Sequence, residues 1–462
     1  MFKNPLFVKF VALGAVVVAL LVGLSSIEGV VRDRQLHRSQ AQRGVADSLA
    51  GPQTLLGPLI HQSCTERWES VVGSGAEQRR VEEKRNWRLV ATPSRLVLAA
   101  DAALEPRARG LHSVNTFQLK SRVSATWDSR EALVPQASTA HGRIDCGPPV
   151  LMVAVGDARG IRGARLRMGG QTLELRPGTE HPSYPRGLHA VLPEALVKAP
   201  GVLGAELELE LLGTERVAVV PLGGESEVTL RSPWPHPSFG GRFLPSERTV
   251  EASGFTAHWR LSQLASSAAR DVMRGARLCD GPPGEAPTDA KGCVESFWVD
   301  FIDPVNPYTL SDRATKYGVL FIVLTFVAVG LFELLGRLRV HPVQYALVGA
   351  ALTLFFLLLL SLAEHLRFEQ AYAVAATGCV LLLTYYASHI LGSLRRGLPF
   401  GALMALLYGM LFILLQLEQM ALVVGSLALF LVLAAVMVLT RELDWYALAK
   451  GAPARHRGAG LA

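Results

Sequence analysis

Between Val11 and Ile27 the chain has no charged residue at all, and long stretches beyond residue 316 are nearly as bare. Extended back through Phe10 and Phe7, that first run reaches the ~20 residues that cross a bilayer core. The sequence also lacks GxSxG, SxxK and HExxH, so the common hydrolase signatures are missing, and nothing in the chain supports an enzyme. It lacks CxxC and any Cys/His spacing suited to zinc, so no metal and no cofactor are expected. Internal repeats and low-complexity segments are absent too. Gly156 to Gly163 has the look of a phosphate loop without the Gly-Lys-Ser/Thr ending, and reads better as a turn ending a strand.

The formal charge of +7 does not indicate a nucleic-acid partner, because of where the surplus sits. Gly29 to Ser311 carries 33 Lys and Arg against 31 Asp and Glu, while the remainder carries 13 against 8. The excess therefore belongs to the apolar parts, where it reports topology.

Those parts read as one N-terminal helix and five later ones: Tyr317 to Leu335, Val343 to Leu362, Ala371 to Leu391, Leu398 to Leu415 and Met420 to Leu439. The first segment lacks a clear small-x-small cleavage site, which favours a retained anchor over a signal peptide. Pro342 and Pro399 stand at helix starts, so the spans read as unbroken. With the N-terminus inside, alternate loops hold ten Lys and Arg on one side (Lys3, Lys9, Arg337, Arg339, Arg395, Arg396, Arg441, Lys450, Arg455 and Arg457) against Arg367 on the other. This predicts both termini in the cytoplasm and residues ~29–310 in the periplasm. The expected domains are an anchor (1–28), a β-rich domain (29–310), a five-helix bundle (311–447) and a cytoplasmic tail (448–462). Trp445 and Tyr446 suit the interfacial aromatic belt.

The middle of the chain alternates with a period of two. Ala205 to Leu211 places leucines on one face and glutamates on the other, and Gly169-Gly170 between two alternating runs marks a hairpin. Further strands are expected at Trp87 to Ala99, Val114 to Trp127, Val150 to Val155, Val217 to Leu222 and Glu227 to Ser232, and one helix at Leu261 to Leu278. Many short strands bounded by turns predict an all-β, sandwich-like domain.

Four cysteines fall in that domain. Cys279 and Cys293 bracket a Pro, Gly and Asp-rich stretch that a bridge would close, and Cys64 with Cys146 then follows by elimination. Trp234, His236, Phe239 and Arg242 form either a ligand-binding wall or a rigid corner between strands, with the corner the better reading. His258 is a weak companion to His236 for a metal. In the membrane half, Glu333 can pair with Arg337 four residues on. If the second and third spans form a hairpin, Glu364 lies level with Arg313 and Lys316. Together with Asp312 and His365 they make a polar cluster at the outer face, read as a strut over a proton or ligand site. Gly401, Ala405 and Gly409 have the spacing of close helix packing.

Several strings then carry a resemblance: GPQ at 51–53, VGDARGI at 155–161, SPWPHPSFGGRFLP at 232–245, SGFTAHW at 253–259, SDRATKYG at 311–318, HPVQYALVG at 341–349, Glu364-His365 and TRELDWY at 440–446. In that order they resemble CreD, the bacterial inner-membrane cell envelope integrity family. The resemblance implies an envelope-stress protein tied to colicin tolerance and β-lactam response, with no catalytic residues to carry over. Expected partners are the lipid bilayer and a periplasmic cell-wall, lipid or protein partner. A lipid or small-molecule transporter and a sensor acting through a separate cytoplasmic protein are the alternatives.

Overall fold

The computed structural model describes residues 5–72, 79–109, 112–139, 141–278, 292–301, 307–336, 340–390, 392–417 and 421–441. Cys279, Arg337, Arg339, Trp445, Tyr446 and the tail lie outside them. The chain folds as two compact units, Met1–Arg38 with Val305–Ala462, and Ser39–Pro304.

The first unit is helical. Helix α1 (Pro5–Ser48) contributes its residues up to Arg38, and α4 (Pro307–Gly336), α5 (Pro342–Ala363), α6 (Phe368–Ile390), α7 (Leu394–Gln416) and α8 (Ala421–Thr440) complete it; α2 (Glu194–Lys198) and α3 (Ala268–Met273) belong to the other unit. Among the described residues six helices are long and apolar enough to cross a membrane. Helix α5 is central, because Val348, Leu352, Phe355, Leu359 and Ala363 recur at three- and four-residue spacing and are all buried. An aromatic cluster locks α4, α6 and α7 to it: Tyr408 lies 4.8 Å from Phe355 and 4.7 Å from Phe321, centroid to centroid, within the edge-to-face range.

Helix α1 packs on α5 along a shared line. Leu20 fits against Gly349, where an added Cβ would stand 2.1 Å from its Cδ1, and Gly23 meets Thr353. Val31 then buries against Leu360. Numbers rise together on both helices, so α1 and α5 run parallel. The seventh helix begins earlier than expected, at Leu394, which puts Pro399 inside it and not at its start. The ring falls early enough in the helix that few intrahelical bonds are lost.

The second unit is a sandwich of two mostly antiparallel sheets. Its strands in chain order are β1 (Gln53–Val72), β2 (Arg79–Ala91), β3 (Arg95–Arg109), β4 (His112–Trp127), β5 (Arg143–Cys146), β6 (Val150–Ala154), β7 (Ile161–Met168), β8 (Gln171–Leu173) and β9 (Arg176–Pro177). They continue with β10 (Gly187–Val191), β11 (Leu203–Thr214), β12 (Arg216–Val219), β13 (Glu225–Ser232), β14 (Pro237–Gly241), β15 (Glu247–Glu251), β16 (Gly254–Ser262) and β17 (Phe297–Phe301). The nine-stranded sheet runs β14-β17-β12-β1-β6-β10-β9, with β2 and β5 also paired to β1; the eight-stranded sheet runs β15-β16-β13-β3-β4-β11-β7-β8. Two pairings are parallel, β1 with β12 and β3 with β13.

The main core lies between the sheets, with Ile60, Leu151, Val153 and Phe297 from one and Val123, Leu166, Leu207 and Trp259 from the other. The glutamates of β11 alternate outward, as the pleat requires. Gly169 and Gly170 both take positive φ, the geometry of a tight two-residue hairpin turn. A smaller apolar cluster covers the other face of the nine-stranded sheet, where Leu59, Met152 and Ala154 meet Tyr184 and the α3 residues Ala268 and Val272. Strand β6 is buried on both faces and reads as the unbroken run Val150 to Ala154.

Two element expectations are corrected. Trp87 to Ala99 is not one strand: Thr92-Pro93-Ser94 breaks it, Ser94 donates its N–H to Thr126 O at 2.7 Å, and the chain crosses from one sheet to the other there. The helix expected over Leu261 to Leu278 shrinks to the six residues of α3. Strand β16 runs to Ser262, Leu264 is fully exposed, and Gly275 at φ 71° ends the helix. Ala268 and Val272 do share its buried face.

Candidate functional site

The motif strings meet as structural joints. The Gly51 N–H donates to Asp157 Oδ2 at 3.0 Å, and the Gln53 side-chain amide spans Asp157 O (3.0 Å) and Leu212 O (2.7 Å). Arg159 in turn donates to Ala46 O (3.3 Å) and Asp47 O, capping the orphan carbonyls at the end of α1. Burial alone would raise the Asp157 carboxyl. Hydrogen bonds from Arg159 and the Gly51 N–H outweigh it and hold that carboxyl below the usual range. The loop at Gly156 to Gly163 is thus committed to a joint.

The Trp234 to Phe243 segment links the sheets, since it leaves β13 of one, forms edge strand β14 of the other and returns to β15. Trp234 is half-buried and its indole N–H donates to His236 O at 3.1 Å. Phe239 packs edge-on against Phe255 (5.7 Å) and Trp259 (6.0 Å). Arg242 is exposed, with its backbone N–H donated to Ser296 O. His258 sits on β16, its Nδ1 2.9 Å from the Thr229 hydroxyl. His236 lies in the link before β14 and His258 within β16, and no group of three or more metal-ligating side chains occurs among the described residues.

The polar cluster is rearranged. Lys316 pairs with Asp312 on its own helix at 2.7 Å, and Glu364 pairs with Arg34 of α1 at 3.3 Å, not with Lys316 or Arg313. His365 is exposed beside it. Glu333 likewise finds a remote partner, Lys9 of α1, and accepts from the Tyr345 hydroxyl at 2.9 Å and from the Val340 N–H. Helix α1 carries both cations, which a hairpin of α4 and α5 alone does not include.

Cys64 and Cys146 face each other across β1 and β5 and are joined as a disulfide. Cys293 is also a disulfide cysteine. Two residues beyond Cys64, the buried Glu66 carboxylate accepts four hydrogen bonds from the N–H and hydroxyl groups of Ser138 and Thr139. The Ser138 hydroxyl first, then these backbone groups, hold the Glu66 carboxyl below its ordinary value.

Two features escaped the sequence. One is a set of buried histidines, His61, His181 and His189, behind the nine-stranded sheet. Their one signal is a histidine closing the apolar run Leu55 to Ile60. The other is a trough on the outer face of the eight-stranded sheet, formed by hollows of about 840 Å³ and 600 Å³ that share Asp101, Lys120 and Arg231. Asp101 on β3 stands directly opposite Lys120 of β4 and Arg231 of β13. Ala99, Ala103 and Gly163 keep the floor low. Neighbouring strands alternate in charge, with Lys120 3.8 Å from Glu210 and Arg165 3.8 Å from Glu208.

Fold and composition together define a multi-pass membrane protein with a large β-rich domain. The family model for the inner membrane protein CreD matches residues 5–446. The chain is 35% identical over 449 residues, 97% of its length and 95% of the relative's, to the inner membrane protein CreD of Escherichia coli K12. It belongs to the CreD family, and so to the inner membrane. A solved M1 zinc metallopeptidase from Deinococcus radiodurans overlaps 45% of this chain and 42% of its own at 13% identity, with a TM-score of 0.22, too slight a likeness to carry any structural statement.

Proposed function

We propose that the protein is a non-enzymatic binding or scaffold component of the bacterial cell envelope, with both termini cytoplasmic and the Ser39–Pro304 unit in the periplasm. The charge bias of the loops supports that orientation. The resemblance to the cell envelope integrity family supports the process, including response to colicins and β-lactams. The partner is a polar cell-wall, lipid or protein component, and not nucleic acid.

The trough carries this reading. Its floor of small residues between columns of opposite charge suits an extended, polar partner bearing both signs, because each column meets its complement at strand spacing. Its own cross-strand pairs are exposed and worth only ~0–1 kcal/mol each, so they exchange readily for a partner's groups. The test is complementation of a strain lacking the gene, scored by envelope permeability. Arg231→Glu with Lys120→Glu is expected to accumulate normally in the membrane and fail to complement. Full complementation by that variant contradicts the reading.

A further inference from the structure

The histidines behind the nine-stranded sheet are held by a short strained loop. Gly178 and Glu180 both take positive φ, at 79° and 55°, and for Glu180 that is a costly conformation which its surroundings must hold in place. The loop is tied by its own bonds: the Thr179 hydroxyl donates to Tyr184 O and accepts from the His181 N–H. The Tyr184 hydroxyl reaches Ala276 O at 2.7 Å, fastening the loop across the apolar cluster that contains Met152, Leu59 and Val272.

Two of these bonds fix the state of the imidazoles. His61 Nε2 lies 3.0 Å from Thr179 O, a carbonyl that only accepts, so Nε2 carries the proton and the buried Nδ1 is a bare lone pair without a protein partner. His181 Nδ1 accepts from the Ser183 N–H at 3.3 Å, so it too is unprotonated. The rings are 5.5 Å apart, both almost wholly buried, and the Arg88 guanidinium acts on both. A proton on His181 Nδ1 removes the Ser183 bond, and a proton on either ring adds positive charge beside Arg88.

We propose that His61 and His181 form an acid-opened clasp, in which proton uptake beside Arg88 frees the Thr179–Tyr184 loop and uncovers the apolar face of the nine-stranded sheet. The other charged groups packed around it do not cancel the effect. Glu180 faces His189, with Oε1 3.3 Å from Nε2, and also acts on His61 against Arg88, but its carboxylate is more than half exposed and carries a single charge. Asp271 of α3 acts on Tyr184, and Arg176 of β9, opposite His189, is exposed and paired with Glu174.

Burial first, then Arg88, pushes His181 down to about 4 from 6.5, and burial also lowers His61. A depressed folded value means that the clasp is fully stable above pH ~6.5 and weakens as pH falls toward about 4. A device of this kind suits a compartment whose pH follows the medium, and in that respect alone it rests on the periplasmic reading.

The experiment is hydrogen exchange on the full chain in detergent micelles from pH 7.5 to pH 4, corrected for intrinsic rate, on the wild type and on His61→Gln with His181→Gln. The expected result is a fall in protection of about a hundredfold confined to 178–191 in the wild type, with β11 unchanged, and a flat profile in the double variant. If the variant does not fold, the wild-type profile decides alone. Unchanged protection down to pH 4, or simultaneous loss across all strands, overturns the clasp, as does a folded double variant that opens like the wild type. Because purified protein is used, neither outcome depends on where the domain resides in the cell.

Discussion

Arg34 of α1 and Glu364 at the end of α5 lie 3.3 Å apart, one turn beyond the contact of Val31 with Leu360. The pair ends a parallel packing line that begins near Lys9 and Glu333, and the chain between Lys9 and Glu28 carries no charge. Ion pairs thus clamp α1 to the bundle at both ends of its apolar stretch, about 37 Å apart along the helix.

The two clamps should differ in strength. The carboxylates are about equally covered, Glu364 at 12% and Glu333 at 14% exposed, but Arg34 is 43% exposed against 27% for Lys9, and Glu333 serves Lys9, Tyr345 and Val340 together. Glu364→Ala is expected to cost ~1 kcal/mol or less. Glu333→Ala leaves a partly buried ammonium and a hydroxyl unpaired and is expected to cost ~2–4 kcal/mol. Denaturation in detergent measures both. In a double-mutant cycle, Arg34 and Glu364 should be non-additive by ~0.5 kcal/mol, and Lys316 and Glu364 additive.

Gly349 makes a sharper prediction. A methyl group at that position enters the space of Leu20, so Gly349→Ala should destabilise the helical unit by ~1–3 kcal/mol. Adding Leu20→Ala should recover part of the loss. No recovery would place the cost within α5 and not in its contact with α1.

The Glu66 clamp predicts a pH effect of opposite origin to the clasp. Its carboxyl is held below the ordinary value, so the stability it gives is complete above the unfolded value of 4.5 and is lost as pH falls through the depressed one. Hydrogen exchange at Ser138 and Thr139 should stay slow to below pH 4.5 in the wild type, and quicken at neutral pH in Glu66→Gln. Equal rates in both would show that the carboxylate does not hold the loop.

Much of the architecture was legible because its signals are local. Uncharged runs mark helices wherever they fold, and the alternation of Leu and Glu in β11 fixes which face is buried. What was not legible depends on partners distant in sequence. Nothing near Glu364 announces Arg34, some 330 residues earlier, and a hairpin argument looks only at neighbours. The parallel pairing of β1 with β12 leaves no turn between the strands to read. The trough arises when Ala99, Lys120, Glu208 and Gly163 from four successive strands of the sheet, β3, β4, β11 and β7, come together, and each alone looks like an ordinary solvated position. The histidines were hidden for the same reason, since His61 and His181 lie 120 residues apart in sequence and meet only in the fold, ring against ring and through Thr179.

The central claim is that the outer face of the eight-stranded sheet receives an envelope partner. Its most direct measurement is photocrosslinking in intact cells from a probe at Gln118, in the trough, with a matched probe at Leu264, which is exposed elsewhere on the domain. The account predicts a discrete cell-wall, lipid or protein adduct from Gln118 that is absent from Leu264 and lost in the Lys120→Glu, Arg231→Glu variant. The same adducts from both positions, or none from Gln118, would contradict it.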